Sequence, residues 1–333
     1  MLKEIEEIFN DKIVEHFSKC YQFKKEKLLY IGGFDSFVYE YNDDYKSYIL
    51  KITHSIRRKL SEMLCEIDWI KHISSNGVAI SEVIKSKHGN TVEKFGNENS
   101  YFLAVVYEKA PGVTANQDNW NKELFEEWGR VTGKIHFHTK TYQPKNIEWK
   151  RKMWFEEDYI NIEKYIPSRE TGVISRAKVL IKKINDIPRT NDNYGVIHGD
   201  LHYLNFNLSN NKITLFDCDD ISYNYFINDL AVILFYAYWK PLNEFEDSDR
   251  FIEEFLSAFL KGYEKENTFK YEWFNTIHDF LMLRHIIQYI AFIQSVNISC
   301  MSDAEMNYKK IMQKIIEENL PIIDYDFTSF RLI

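Results

Sequence analysis

His198-Gly199-Asp200-Leu201-His202-Tyr203-Leu204-Asn205, with Asp217 twelve residues beyond Asn205, is the stretch on which the reading of this chain turns. An aspartate, an asparagine five positions on and a second aspartate past a short strand suit phosphoryl transfer. That reaction needs a carboxylate beside a hydroxyl nucleophile, and metal ions to neutralise the transferring phosphate. Asp200 is placed to accept the hydroxyl proton. Asn205, returned by the same loop, offers an amide oxygen to a metal. Asp217 offers the metal its main carboxylate.

Protein kinases carry the same roles on a His-Arg-Asp loop and an Asp-Phe-Gly. Here the loop reads His-Gly-Asp, and Asp217-Cys218-Asp219-Asp220 stands where Asp-Phe-Gly would. This variant resembles the aminoglycoside phosphotransferase and choline kinase-like superfamily of small-molecule kinases. The resemblance implies an α+β, two-lobed, protein-kinase-like fold, with a small β-rich N-lobe and a larger helical C-lobe. It also implies Mg2+ as cofactor, with ATP or GTP as phosphoryl donor.

The bulk composition is compatible with that expectation. The chain has 333 residues, 45% hydrophobic and 16% aromatic, enough for a large folded core. Net charge is −8. Residues 1–150 hold 22 Lys+Arg against 22 Asp+Glu, whereas residues 151–333 hold 20 against 28. An acidic half disfavours nucleic acid as a partner and suits a cationic acceptor. Cys20, Cys65, Cys218 and Cys300 show neither disulfide framework nor metal-ligand spacing among themselves, which fits free thiols in the cytoplasm. The apolar run 286–302 is interrupted by polar residues and reads as a core helix, not a membrane span.

Along the chain, apolar spacing predicts a helix over 2–19, then strands at 27–31, 36–41 and 47–53. A helix at 56–75 ends at Asn76-Gly77, and strands follow near 80–86 and 101–107. Helices are expected at 121–140, 150–163, 170–186, 226–239, 248–266, 270–298 and 303–318. Short strands near 194–197 and 213–216 flank the loop of Asp200. The N-lobe is set at residues 1–108 and the C-lobe at 109–333.

Gly32, Gly33 and Ser36 sit between two strands, where backbone and hydroxyl can approach phosphates. Lys51 is the one cation inside the apolar strand Ile49-Leu50-Lys51-Ile52. Glu66, on the next helix, is its expected partner, with Glu62 as competitor. Glu66 is preferred because its distance from Asn76-Gly77-Val78 resembles the family's. Val105–Gly112 looks like the family's hinge, and the resemblance implies adenine contacts with the Glu108 carbonyl and the Ala110 amide.

The resemblance further implies that His198 and Asp219 support the catalytic loop and the metal from behind, and that His136 and Asp229 are structural. Glu156, Glu157 and Asp158, beside Trp154 and Tyr159, form a candidate site for an acceptor ammonium. Three other readings stay open. One is a homoserine-like metabolite or a protein Ser/Thr as acceptor. Another is a catalytically silent nucleotide-binding protein. The third is a metallohydrolase built on His198, Asp200, His202 and Asp217.

Overall fold

The structure is a computed structural model that describes residues 3–33, 35–43, 45–239 and 248–332. It begins with α1 (Lys3–Ile8) and α2 (Asp11–Tyr21), which divide at Asn10. The Asn10 side chain accepts the Lys12 N–H and caps α2, so the expected single helix is two.

Next come β1 (Leu28–Gly32), β2 (Phe37–Asn42), β3 (Ser47–His54) and α3 (Leu60–Ser75). Strands β4 (Val83–Ile84), β5 (Glu93–Gly96) and β6 (Tyr101–Glu108) complete an antiparallel sheet. Its order is β1-β2-β3-β6-β4, with β5 pairing the first half of β6. The sheet therefore has six strands and not the expected five. β5 is only four residues long and alternates weakly, so its pairing is fixed by β6 and not by its own pattern.

The remaining residues build a mainly helical unit: α4 (Lys122–Thr139), α5 (Ile162–Tyr165), α6 (Thr171–Asn185), α7 (Phe226–Tyr238), α8 (Ser248–Tyr263), α9 (Ile277–Ser295) and α10 (Asp303–Glu317). Two small antiparallel ladders lie among them. β7 (Tyr194–Ile197) pairs β10 (Ser222–Tyr225), and β8 (Phe206–Ser209) pairs β9 (Lys212–Leu215). No described helix is long and apolar enough to cross a membrane.

The expected helix at 150–163 is replaced by short 3-10 turns, Trp154–Glu156 and Asp158–Ile160, ahead of α5. Long-range bonds override the local periodicity there. Arg151 donates to the Ile221 carbonyl, the Tyr223 N–H donates to the Lys152 carbonyl, and Glu157 pairs with Arg58.

One large core spans the helical unit and also takes in Trp69, Ile70 and Ile73 from the end of α3. Two smaller clusters sit on the six-stranded sheet. The sheet is tied to the helical unit by backbone bridges, Ile80 with Leu215 and Val113 with Leu208.

Candidate active site

The loop between β7 and β8 carries Asp200, and a carboxylate at the start of α7 holds that loop in place. Asp229 is fully buried and accepts the N–H groups of His198, at 3.2 Å, and Gly199, at 2.8 Å. His136 of α4 approaches the same carboxylate at 3.1 Å and Tyr263 at 3.0 Å. His198 is itself buried, with its Nδ1 facing the Asp200 N–H at 3.4 Å. Gly199 has φ +79°, and a Cβ there would lie 2.4 Å from the Asp220 carbonyl oxygen. Only glycine lets this loop pass so close to the segment after Asp217.

Both Asp200 carboxylate oxygens are engaged. Oδ1 accepts from Arg284 Nη2 at 2.5 Å. Oδ2 lies 3.2 Å from Asn205 Nδ2 and 3.3 Å from His202 Nε2. Burial alone would raise the Asp200 pKa, but Arg284 and then His202 hold it well below the usual carboxylate range. Arg284 comes from α9 and also donates to the Tyr236 hydroxyl at 2.6 Å.

Asn205 and Asp217 are brought together by the backbone. The Phe216 N–H donates to the Asn205 carbonyl at 3.0 Å. Asn205 Nδ2 also donates to the Asp200 carbonyl at 2.8 Å, which turns its amide oxygen the other way. Asp217 adopts φ +56°, a left-handed conformation tolerated by aspartate more readily than by most residues.

Lys51 reaches Asp217 Oδ1 at 2.7 Å and Asp219 at 3.9 Å. Burial would lower the lysine pKa, yet Asp217 and Asp219 raise it above the ordinary value, so Lys51 is a cation. The expected Lys51–Glu66 pair is not a direct salt bridge, although the two attract each other across the site. Glu66 instead accepts from the Tyr107 hydroxyl at 2.9 Å and faces Arg151 at 3.6 Å. Burial pushes its pKa up, and Arg151 opposes that. Glu62, the competitor, caps the start of α3 by accepting the Lys59 N–H.

Asp219 meets Arg57 at 3.3 Å and Arg58 at 3.4 Å, and Asp220 meets the same arginines at 3.1 and 3.3 Å. Arg57 also faces Asp35 of the loop between β1 and β2, at 2.9 Å. Neither arginine stood out in the sequence. Their only signal there is the run of three cations, Arg57-Arg58-Lys59, directly ahead of α3.

Two cavities meet at Lys51, Val38 and Asp217. One, of about 340 Å³, is mostly apolar and bounded by Ile31, Ile49, Tyr107, Ala110 and Phe216. Glu66 lines it as well. Glu108 does not: its carboxylate pairs with Lys46 at 2.8 Å, while its neighbours Tyr107 and Lys109 face the space. The second cavity, of about 380 Å³, is polar and holds Gly33, Ser36, Arg57, Asp200 and Asp219, with Tyr159, Arg284 and Gln288 opposite. At Gly33, with φ +130°, a Cβ would strike the Ser36 carbonyl at 2.0 Å. Gly32 also has a positive φ, +114°.

Glu156, Glu157 and Asp158 are not brought into either cavity, which corrects the expected ammonium site. Glu156 accepts the Met153 N–H, Glu157 is buried against Arg58, and Asp158 pairs with Lys164. Each acid already has a local partner. Tyr159 alone from that segment reaches the polar cavity.

The sequence and fold have known counterparts. The model of the phosphotransferase enzyme family matches residues 29–273. The chain is 37% identical over 330 residues to amicoumacin kinase of Bacillus subtilis (strain 168), covering 98% of both chains. It is similar to a solved amicoumacin kinase in complex with AMP-PNP, Ca2+ and Ami. There the TM-score is 0.94 at 38% identity, over 98% of this chain and 99% of that one. A microcompartment-associated aminopropanol kinase shares the fold, with a TM-score of 0.73 at 17% identity over 97% of this chain and 100% of that one.

Proposed function

The chain belongs to the phosphotransferase enzyme family, and from that premise we propose that it phosphorylates amicoumacin or a close chemical relative. It is a small-molecule kinase that transfers the γ-phosphoryl group of ATP to a hydroxyl, with a divalent metal. The acceptor, the identity of the metal as Mg2+ and the residue roles are our reading. The observation that carries the roles is that Asp200, Lys51 and Asp217 open on one polar cavity beside an apolar one.

In this reading the apolar cavity takes the adenine, with the Glu108 carbonyl and the Ala110 amide at the hinge. Gly32, Gly33 and Ser36 cover the phosphates, and Lys51 holds them by charge. Glu66 acts at one remove, fixing Arg151 and Tyr107. The donors proposed for the metal, the Asp217 carboxylate and the Asn205 amide oxygen, are hard oxygens that suit Mg2+. A bound Mg2+ would neutralise charge on the phosphates. Asp219 and His198 support these groups from behind.

Asp200 orients the acceptor hydroxyl and takes its proton as the oxygen attacks phosphorus. Its low pKa keeps it ionised and makes positioning its larger contribution. We divide the chain at residues 108 and 109 into a nucleotide-clamping lobe and an acceptor lobe.

The test is turnover of ATP with Mg2+ against amicoumacin, aminopropanol, choline, spectinomycin and hygromycin B. The expected result is a kcat/KM for amicoumacin at least roughly 100-fold above the others, about 2.7 kcal/mol of discrimination. Equal or greater turnover of another acceptor would reject the assignment.

A further inference from the structure

A second cluster of chemically able side chains lies where α2 meets the turn before β5, and none of its members lines either cavity. Cys20 Sγ, a His88 ring nitrogen and a Glu93 carboxylate oxygen all lie within 4.8 Å of one another. His88 Nδ1 is 3.1 Å from Glu93 Oε1. His16, one helical turn before Cys20 and on the same face, brings its Nε2 to 3.6 Å from the thiol. The elements are pinned together by the Lys87 N–H, which donates to the Cys20 carbonyl at 2.9 Å.

Two of these separations, His16–Cys20 and His88–Glu93, match the edges of a tetrahedral site around a small cation. Zinc bonds of about 2.3 Å to sulfur and about 2.0–2.1 Å to nitrogen give a tetrahedral S···N edge of roughly 3.6 Å. The N···O edge comes to roughly 3.3 Å. One thiolate and one carboxylate would balance the charge of Zn2+, and imidazole nitrogen is a further donor type that zinc accepts. The turn accounts for part of the cluster without a metal. Ser86 donates to Glu93, and Asn90 Nδ2 lies 3.3 Å from the same oxygen. That network leaves the buried Cys20 thiol, which His16 contacts, beside His88 and Glu93.

We propose that Cys20, His88 and Glu93, with His16 beside the thiol to complete the set as the ion enters, bind one zinc ion that staples α2 to the turn ahead of β5. The half-exposed His88 is the side from which the ion enters. Burial holds the Cys20 thiol above its ordinary pKa, so binding exchanges its proton for the metal and releases that proton to water. The site is structural and not catalytic. α2 precedes the residues that match the family, and the ion would add a clasp to that preceding segment.

Cobalt(II) added to the full-length, metal-free chain is the direct test. A thiolate-to-cobalt charge-transfer band should appear at one equivalent and be displaced by zinc. Cys218 sits next to Asp217, so it is the necessary control. The band should be lost in Cys20→Ser and kept in Cys218→Ser. His88→Ala, a change at an exposed position, should weaken cobalt binding roughly tenfold or more. Zinc should raise the melting temperature of the unsubstituted chain by a few degrees, and that of Cys20→Ser much less. Absence of the band, its survival in Cys20→Ser, or unchanged affinity in His88→Ala would each overturn the site.

Discussion

Asp200 is held on both oxygens, and the two sides have different consequences. Asp200→Asn keeps size and place but cannot take a proton. Transfer should fall about 10²- to 10⁴-fold, while Mg-ATP affinity, measured by titration, stays within a few-fold. Near-normal turnover would remove Asp200 from its role. Arg284 acts on the other side. It bridges Asp200 and the Tyr236 hydroxyl from one nitrogen, and its guanidinium lies 4.9 Å from the Tyr236 ring centroid. Arg284→Met should lower kcat about tenfold or more without changing KM for ATP. Arg284→Lys should recover only part, because an ammonium lacks the planar fork. A loss confined to the KM for ATP would contradict this placement. The clustering of Asp200, Asn205 and Asp217 was legible because one loop and the β8–β9 hairpin carry all three at fixed spacing. Arg284 was not. It lies 84 residues from Asp200 in sequence, on a helix whose apolar run dominates its pattern. Arg151, the cation nearest Glu66, was hidden too, far from it in sequence.

At the level of elements, α4 and α8 approach so closely that glycine is required on both. A Cβ at Gly129 would lie 1.8 Å from the Phe259 carbonyl oxygen, and one at Gly262 would lie 1.8 Å from that of Glu126. Gly133 faces the Tyr263 carbonyl in the same manner, at 2.5 Å. The obstacles are backbone atoms in packed helices, which cannot step aside. Gly129→Ala and Gly262→Ala should each destabilise by about 1–3 kcal/mol or more, although alanine favours an isolated helix. Denaturant midpoints measure this, and a gain in stability would show that the helices can separate freely. The close approach also sets the site, since α4 carries His136 against Asp229. Long elements such as α4, α6 and α7 were readable because their apolar stripes repeat over several turns. β5, β8 and β10 were not, because four residues give too few alternations to mark a strand by themselves, although β5 and β8 pair the strands that follow them. The 150–163 segment misled for a related reason. Its rings and acids satisfy helical spacing, but Arg151 and Glu157 are committed to other parts of the fold.

Across the whole molecule, the acidic excess of residues 151–333 carries less specificity than its size suggests. The polar cavity mixes Lys51, Arg57 and Arg284 with Asp35, Asp200, Asp217, Asp219 and Asp220. A divalent ion would offset most of that residual negative charge, so the cavity does not select a cation by field alone. The same balance governs nucleotide binding. Lys51 is committed to Asp217, and Arg57 to Asp35, Asp219 and Asp220. A polyphosphate arriving without metal would compete with those carboxylates for the cations and meet their repulsion. In the proposed reading, one arriving with Mg2+ would supply the missing positive charge at Asp217. Ligand that binds only the folded state at about 100 times its Kd stabilises it by about 2.7 kcal/mol. For a chain of this length that corresponds to a melting shift of several degrees. ATP with Mg2+ should therefore raise the melting temperature clearly, ATP with a chelator much less, and Mg2+ alone very little. Asp217→Ala should erase the increment due to metal while keeping the smaller response to adenosine, which needs only the apolar cavity. If both responses vanished together, the substitution would have damaged the fold. If neither changed, Asp217 would not be the residue that holds the metal.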